Sequence, residues 1–127
     1  NNDERESTWM DEGVNSFVQY LTERERYPTK PKGRGDAQNL VPYMKSDPSL
    51  MRPLMTGGEQ VVKIGDEQYG KAATALNILR ETVMGPELFD KAFKEYAQRW
   101  AFKHPKPSDF FRTLEDASAV DLDWYWR

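Results

Sequence analysis

The chain has 127 residues, of which 38% are hydrophobic, 13% aromatic and 31% charged, with a formal net charge of −3. That is the length of one domain with a packed core, and the aromatic share argues against intrinsic disorder. The charge balance speaks against nucleic acid as a partner, no run approaches the ~20 apolar residues of a membrane span, and the lack of cysteine excludes disulfides and thiolate metal sites.

The first helix is expected in "STWMDEGVNSFVQYL", with Thr8 as its cap and Asp11 completing a capping box. Met10, Val14, Phe17 and Leu21 recur at helical spacing as the expected buried stripe. At ~100° per residue Glu12 falls about 200° from Val14, pointing away from that stripe on the side of Gln19 and Glu23. The helix should fade near Arg24 to Arg26, ahead of Pro28.

Residues 27–65 are cut by prolines and glycines and read as a loop-rich segment. "YPTKPKGRGD" is an expected exposed loop. Asp36 is placed to cap a short helix ending near Pro42, and Asp47 precedes Pro48 as a second cap. "QVVKI" suggests a brief extended piece.

The second half is more regular. In "EQYGKAATALNILRETVMG", Tyr69, Ala72, Ala73, Leu76, Leu79 and Val83 share one face, and Gly85 stops the helix. Pro86 opens the next, with a stripe of Phe89, Phe93, Tyr96 and Trp100. Ser108 is the expected cap of "SDFFRTLEDAS", whose apolar face holds Phe110, Phe111 and Leu114. Asp121 is placed to cap a last helix that starts "LDWYW". The four tryptophans are expected in the core. No hairpin signal or internal repeat occurs, so the fold class is all-α: one irregular multi-helix bundle over 1–127.

His104 is the chain's one histidine, set in a Pro-bounded turn and expected to be exposed. A zinc site with two or three histidines therefore cannot come from these residues alone. No glycine loop of the phosphate-cradling kind occurs, and no sharp Gly-x-Ser-x-Gly turn presents a serine. Arg34-Gly35-Asp36 spells an adhesion tripeptide, a short pattern that arises readily by chance. An acid at Glu12 has an ordinary explanation, because a carboxylate in the first helical turn favours the helix dipole by a few tenths of a kcal/mol.

A second explanation comes from its neighbours. Trp9-Met10-Asp11-Glu12-Gly13, followed by Phe17 and Tyr20, resembles the "W-L-N-E-G-F-A-x-Y" stretch of the M1 family of zinc aminopeptidases, which are gluzincins. The segment from Tyr69 to Leu79 resembles that family's "Y-x-K-G-A-x-x-L-x-M-L", with Ala72 where the family usually has glycine. "MGPELFDKAFKEY" and "KPSDFFRTLEDAS" then follow in the family's order. The segment 27–65 matches none of the pattern and reads as an insertion.

The resemblance implies that the chain is a helical fragment from the C-terminal part of a thermolysin-like catalytic domain. It implies Glu12 as a zinc ligand and Tyr69 as the catalytic residue that hydrogen-bonds the tetrahedral intermediate. In the family two histidines four apart on one helix face bind the metal, and the glutamate between them is the general base of an H-E-x-x-H motif. That motif would lie upstream of Asn1, so the implied partners are an upstream part of the same polypeptide and a peptide substrate. The chain alone is then expected to be inactive. The chain also stops while an aromatic pattern is still running, as a cut inside a structure would leave it. The alternative is a non-catalytic helical interaction domain, or a metallopeptidase that kept the fold and lost the metal. Absence of cysteine suits periplasm and cytosol alike and does not fix the compartment; a periplasmic or cell-envelope location is favoured over a cytoplasmic one.

Overall fold

The computed structural model describes residues 3–29, 33–60 and 65–127, the side chains of 65–67 excepted. Among the described residues there are six α-helices and no strand, so the fold is all-α as the helical spacing predicts. Residues 61–64 of the expected extended piece lie outside the described residues. The contacts divide the chain into two compact units, Asp3–Asn77 and Ile78–Arg127.

The first unit begins with a turn in which the Asp3 carboxylate accepts from Arg5 N and Glu6 N at 3.2 and 3.3 Å. Helix α1 follows over Thr8–Arg26. Thr8 is its first residue rather than its cap: its hydroxyl donates back to the Glu4 carbonyl, and Ser7 takes the cap position with no side-chain capping bond to the helix. The Thr8 hydroxyl is engaged by the preceding turn and is not turned toward the helix N–H groups.

The buried face of α1 is Thr8, Trp9, Met10, Gly13, Ser16, Phe17 and Tyr20. It is rotated from the expected stripe, and Val14 and Leu21 are only half-buried. The rotation follows from the partner element. A helical run over Gly65–Lys71, wound as a π-helix, packs against α1 and leads into α3, Ala72–Ile78. A Cβ at Gly13 would stand 2.3 Å from the Ala72 Cβ and 2.8 Å from the Gln68 carbonyl oxygen. The two backbones can approach this closely only because Gly13 has no side chain.

Helix α2 spans Ala37–Met44. Its cap is Asp36, as expected, whose carboxylate accepts from Gln38 N at 3.0 Å. Pro42 does not end the helix, which runs on to Met44. Asp47 caps the short 3-10 turn Pro48–Leu50 through Ser49 N at 2.9 Å.

In the second unit the helical run continues through a π-helical stretch, Leu79–Met84, and stops at Gly85 with φ +87. Helix α4, Pro86–Trp100, and helix α5, Pro107–Ser118, pack together. Leu79, Phe89, Ala92, Phe110, Leu114 and Leu122 form the core. Ring contacts extend it, with Tyr96 meeting Phe110 edge-on at 4.8 Å and Phe111 stacked on Trp126 at 4.4 Å. Ser108 is not the cap of α5. Pro107 already occupies the first helical position, and the Asp109 carboxylate accepts from Lys106 N at 2.8 Å. Asp121 accepts from Asp123 N at the start of the short α6, Asp123–Trp126. Of the tryptophans Trp9 is buried and Trp100 and Trp126 are half-buried, whereas Trp124 is 64% exposed, against expectation.

Candidate active site

Two residues singled out in the sequence meet in the first unit. Glu12 is half-buried in α1, and Tyr69 is half-buried in the π-helical run. The Tyr69 phenol donates a hydrogen bond to the Glu12 carboxylate. The rotated face of α1 explains the meeting. At ~100° per residue Glu12 lies only about 40° from Ser16, so it sits on the rim of the buried face rather than opposite it. The close crossing at Gly13 and Ala72 brings the next element against that rim.

The wide π-helical turn matters here. Its i→i+5 hydrogen bonds enclose one more residue than the i→i+4 bonds of an α-helix, which re-aims side chains, and such turns recur at functional sites. Gln68 turns inward and is fully buried, with no hydrogen-bond partner for either side-chain atom among the described residues. Tyr69, one residue on, faces Glu12.

The electrostatics favour a protonated phenol. Tyr69 is raised above its usual 10.0, first by the hydrogen bond to Glu12, then by burial and by the negative charge of Glu12. Asp11 adds to the rise, and Arg34 opposes it. The Arg34 guanidinium lies over the Tyr69 ring, 4.4 Å from its centroid. Arg34 comes from the segment that matched no part of the family pattern.

The adhesion tripeptide is not displayed as a free loop. Gly35 is buried with φ +106, and a Cβ there would sit 3.0 Å from the Tyr20 ring. The Asp36 carboxylate is engaged at the start of α2. His104 is exposed, as expected.

For a metal, Glu12 supplies an anionic oxygen donor of a kind that zinc accepts beside histidine nitrogens. A carboxylate has about four lone-pair positions, and the Tyr69 bond uses one, so donor capacity remains. Glu12 therefore fits as one ligand among several. A second acidic group, Glu115, Asp121 and Asp123, brings carboxylate oxygens within 4.8 Å of one another in the second unit. Its oxygens accept from Leu122 N, Trp126 Nε1 and Asp123 N, and an all-carboxylate set is not the nitrogen-rich set of catalytic zinc.

Sequence reasoning missed Arg34, Gln68 and the role of Gly13. Gly13 left a signal, because a glycine inside a helix costs ~1 kcal/mol relative to alanine and so asks for a packing reason. Arg34 left none, since nothing in a loop's composition says which ring it will cover.

Comparison with known proteins bears on the family of the chain. Glutamyl aminopeptidase of Sus scrofa is 28% identical over 123 residues, covering 92% of this chain and 13% of the relative. The Homo sapiens glutamyl aminopeptidase is 28% identical over 124 residues with the same coverage. That of Rattus norvegicus is 29% identical over 117 residues, or 87% of this chain and 12% of the relative. The chain thus spans about an eighth of the length of these curated relatives. No solved structure matches. The family model described as the peptidase family M1 domain matches residues 2–127, so this chain belongs to peptidase family M1.

Proposed function

We propose that these residues form the helical part of the catalytic domain of a zinc-dependent aminopeptidase, in which Glu12 is the third protein ligand of the metal and Tyr69 stabilises the transition state. The observation that carries this reading is the hydrogen bond between Tyr69 and Glu12, which joins the two residues that the family pattern marks. The zinc would be held by Glu12 together with two histidines of an upstream H-E-x-x-H segment, and when bound it supplies Lewis-acid polarisation of the scissile carbonyl. Glu12 contributes one negative charge, oriented by the phenol that donates to it. Tyr69 keeps its proton at neutral pH and can pass its hydrogen bond from Glu12 to the oxyanion that develops on the scissile carbonyl oxygen. The relatives' name supports removal of amino-terminal residues, and the substrate is then a peptide.

The test uses the protein that carries these residues together with the upstream segment. Tyr69→Phe should lower kcat by roughly 10²–10³ while zinc stays bound, the loss expected for one oxyanion donor. Glu12→Gln should lower zinc content, read by elemental analysis after dialysis. Full zinc occupancy and full activity in Glu12→Gln would remove the ligand role.

A further inference from the structure

We propose that Arg34 binds a carboxylate of the peptide substrate beside the Glu12–Tyr69 pair and so sets substrate preference. This inference rests on the reading of that pair as part of a peptidase site. Its ground is the position and availability of the guanidinium. The Arg34 guanidinium carbon lies over the Tyr69 ring, 4.4 Å from its centroid. A guanidinium carries five N–H donors in a fixed fork and can take a carboxylate through two parallel hydrogen bonds. Arg34 is exposed, and no carboxylate lies within ion-pair distance of it among the described residues.

The loop holds the arginine in place from both sides. Gly35 packs on the Tyr20 ring, and the Asn77 side-chain amide donates to the Gly35 carbonyl at 3.2 Å. Asp36 is fixed as the cap of α2. Arg34 is therefore carried on a pinned turn, which lowers the ordering cost of using it for binding.

Room for a ligand adjoins it. A cavity of about 250 Å³ is lined by Arg34, Asn39, Leu40, Gly70 and Thr74, and Gly70 is the residue after Tyr69. Asp36 also borders it, with its carboxylate accepting from Gln38 N at the helix start.

Two parts of a peptide carry that chemistry, an acidic side chain and the C-terminal carboxylate. The experiment separates them with paired peptides on the full protein: Glu-Ala-Ala-amide against Gln-Ala-Ala-amide, Ala-Glu-Ala-amide against Ala-Gln-Ala-amide, and Ala-Ala-Ala against its amide. In one of these pairs the wild type should favour the acid, and in Arg34→Ala that preference in kcat/KM should fall roughly 10- to 100-fold, mostly through KM, the scale of a lost charge-assisted pair. The pair affected identifies the source of the carboxylate. Arg34→Lys, which keeps the charge and loses the fork, should fall between the two. An equal loss on acid and neutral peptides would overturn the proposal and leave Arg34 as a support for the Tyr69 ring. Unchanged preferences would overturn it as well. If the wild type hydrolysed no peptide at all, the peptidase reading itself would fail, and this inference with it.

Discussion

Tyr69 holds its proton because ionisation would place a phenolate beside the Glu12 carboxylate, and the hydrogen bond between them would be lost. A group whose value is raised in the folded state contributes its stabilisation fully below its ordinary value and loses it as pH rises through the raised one. The Glu12–Tyr69 bond should therefore be constant through neutral pH and weaken only above pH 10.0, the ordinary tyrosine value. Phenolate absorbance, read as the difference from Tyr69→Phe, should show this tyrosine titrating above 10.0, and Glu12→Gln should bring it back toward that value. An unchanged titration in Glu12→Gln would mean that the two side chains are not partners. The signal should be separable from Tyr96, which burial pushes up to about 12.

At the scale of elements, the crossing of α1 with the π-helical run and α3 decides whether those side chains can meet. Gly13 and Ala72 share one space, and a Cβ at Gly13 would overlap that of Ala72. Gly13→Ala should destabilise the protein by roughly 1–3 kcal/mol through overpacking, offset in part by a helix-propensity gain of up to ~1 kcal/mol. The double variant Gly13→Ala with Ala72→Gly should recover part of the loss, since it removes the clash with the Ala72 methyl group but leaves the one with the Gln68 carbonyl oxygen at 2.8 Å. Denaturant melts of the four members of this cycle measure the coupling, and additive effects would show that the helices do not touch here. The family pattern usually puts glycine at the position of Ala72, and in this chain the clearance comes from the glycine on α1.

For the whole molecule, the expected limit is catalytic completeness. Glu12 is one carboxylate, and His104 is the only histidine of the 127 residues. Catalytic zinc takes three protein ligands and keeps a fourth position open. Residues 1–127 alone should therefore show no zinc-dependent hydrolysis of an aminoacyl-amide reporter, and activity of the isolated chain above a buffer blank would refute this. The matched relatives are longer by a wide margin, since the chain spans 13% of the Sus scrofa protein. The core of the second unit is apolar: Phe89, Phe110 and Leu114 are fully buried, and beside them Trp100 Nε1 donates to Thr113 Oγ1 at 3.0 Å.

The all-α class, the helix order and the boundary at Gly85 and Pro86 were legible in the sequence. Glycine and proline act locally: Gly85 stops one helix with a positive φ and Pro86 starts the next, wherever the rest of the chain lies. The motif around Glu12 and Tyr69 was also legible, because it consists of neighbours along the chain. Helical spacing misplaced the buried face of α1 and put Glu12 on the wrong side. Periodicity counts apolar residues, whereas burial here follows Gly13 and Ser16, whose small size lets another backbone approach. Tertiary structure alone decided that Tyr69 donates to Glu12, that Gln68 turns inward, and that Arg34 covers the tyrosine ring. Each depends on where separate segments come to rest, and no local propensity encodes that distance.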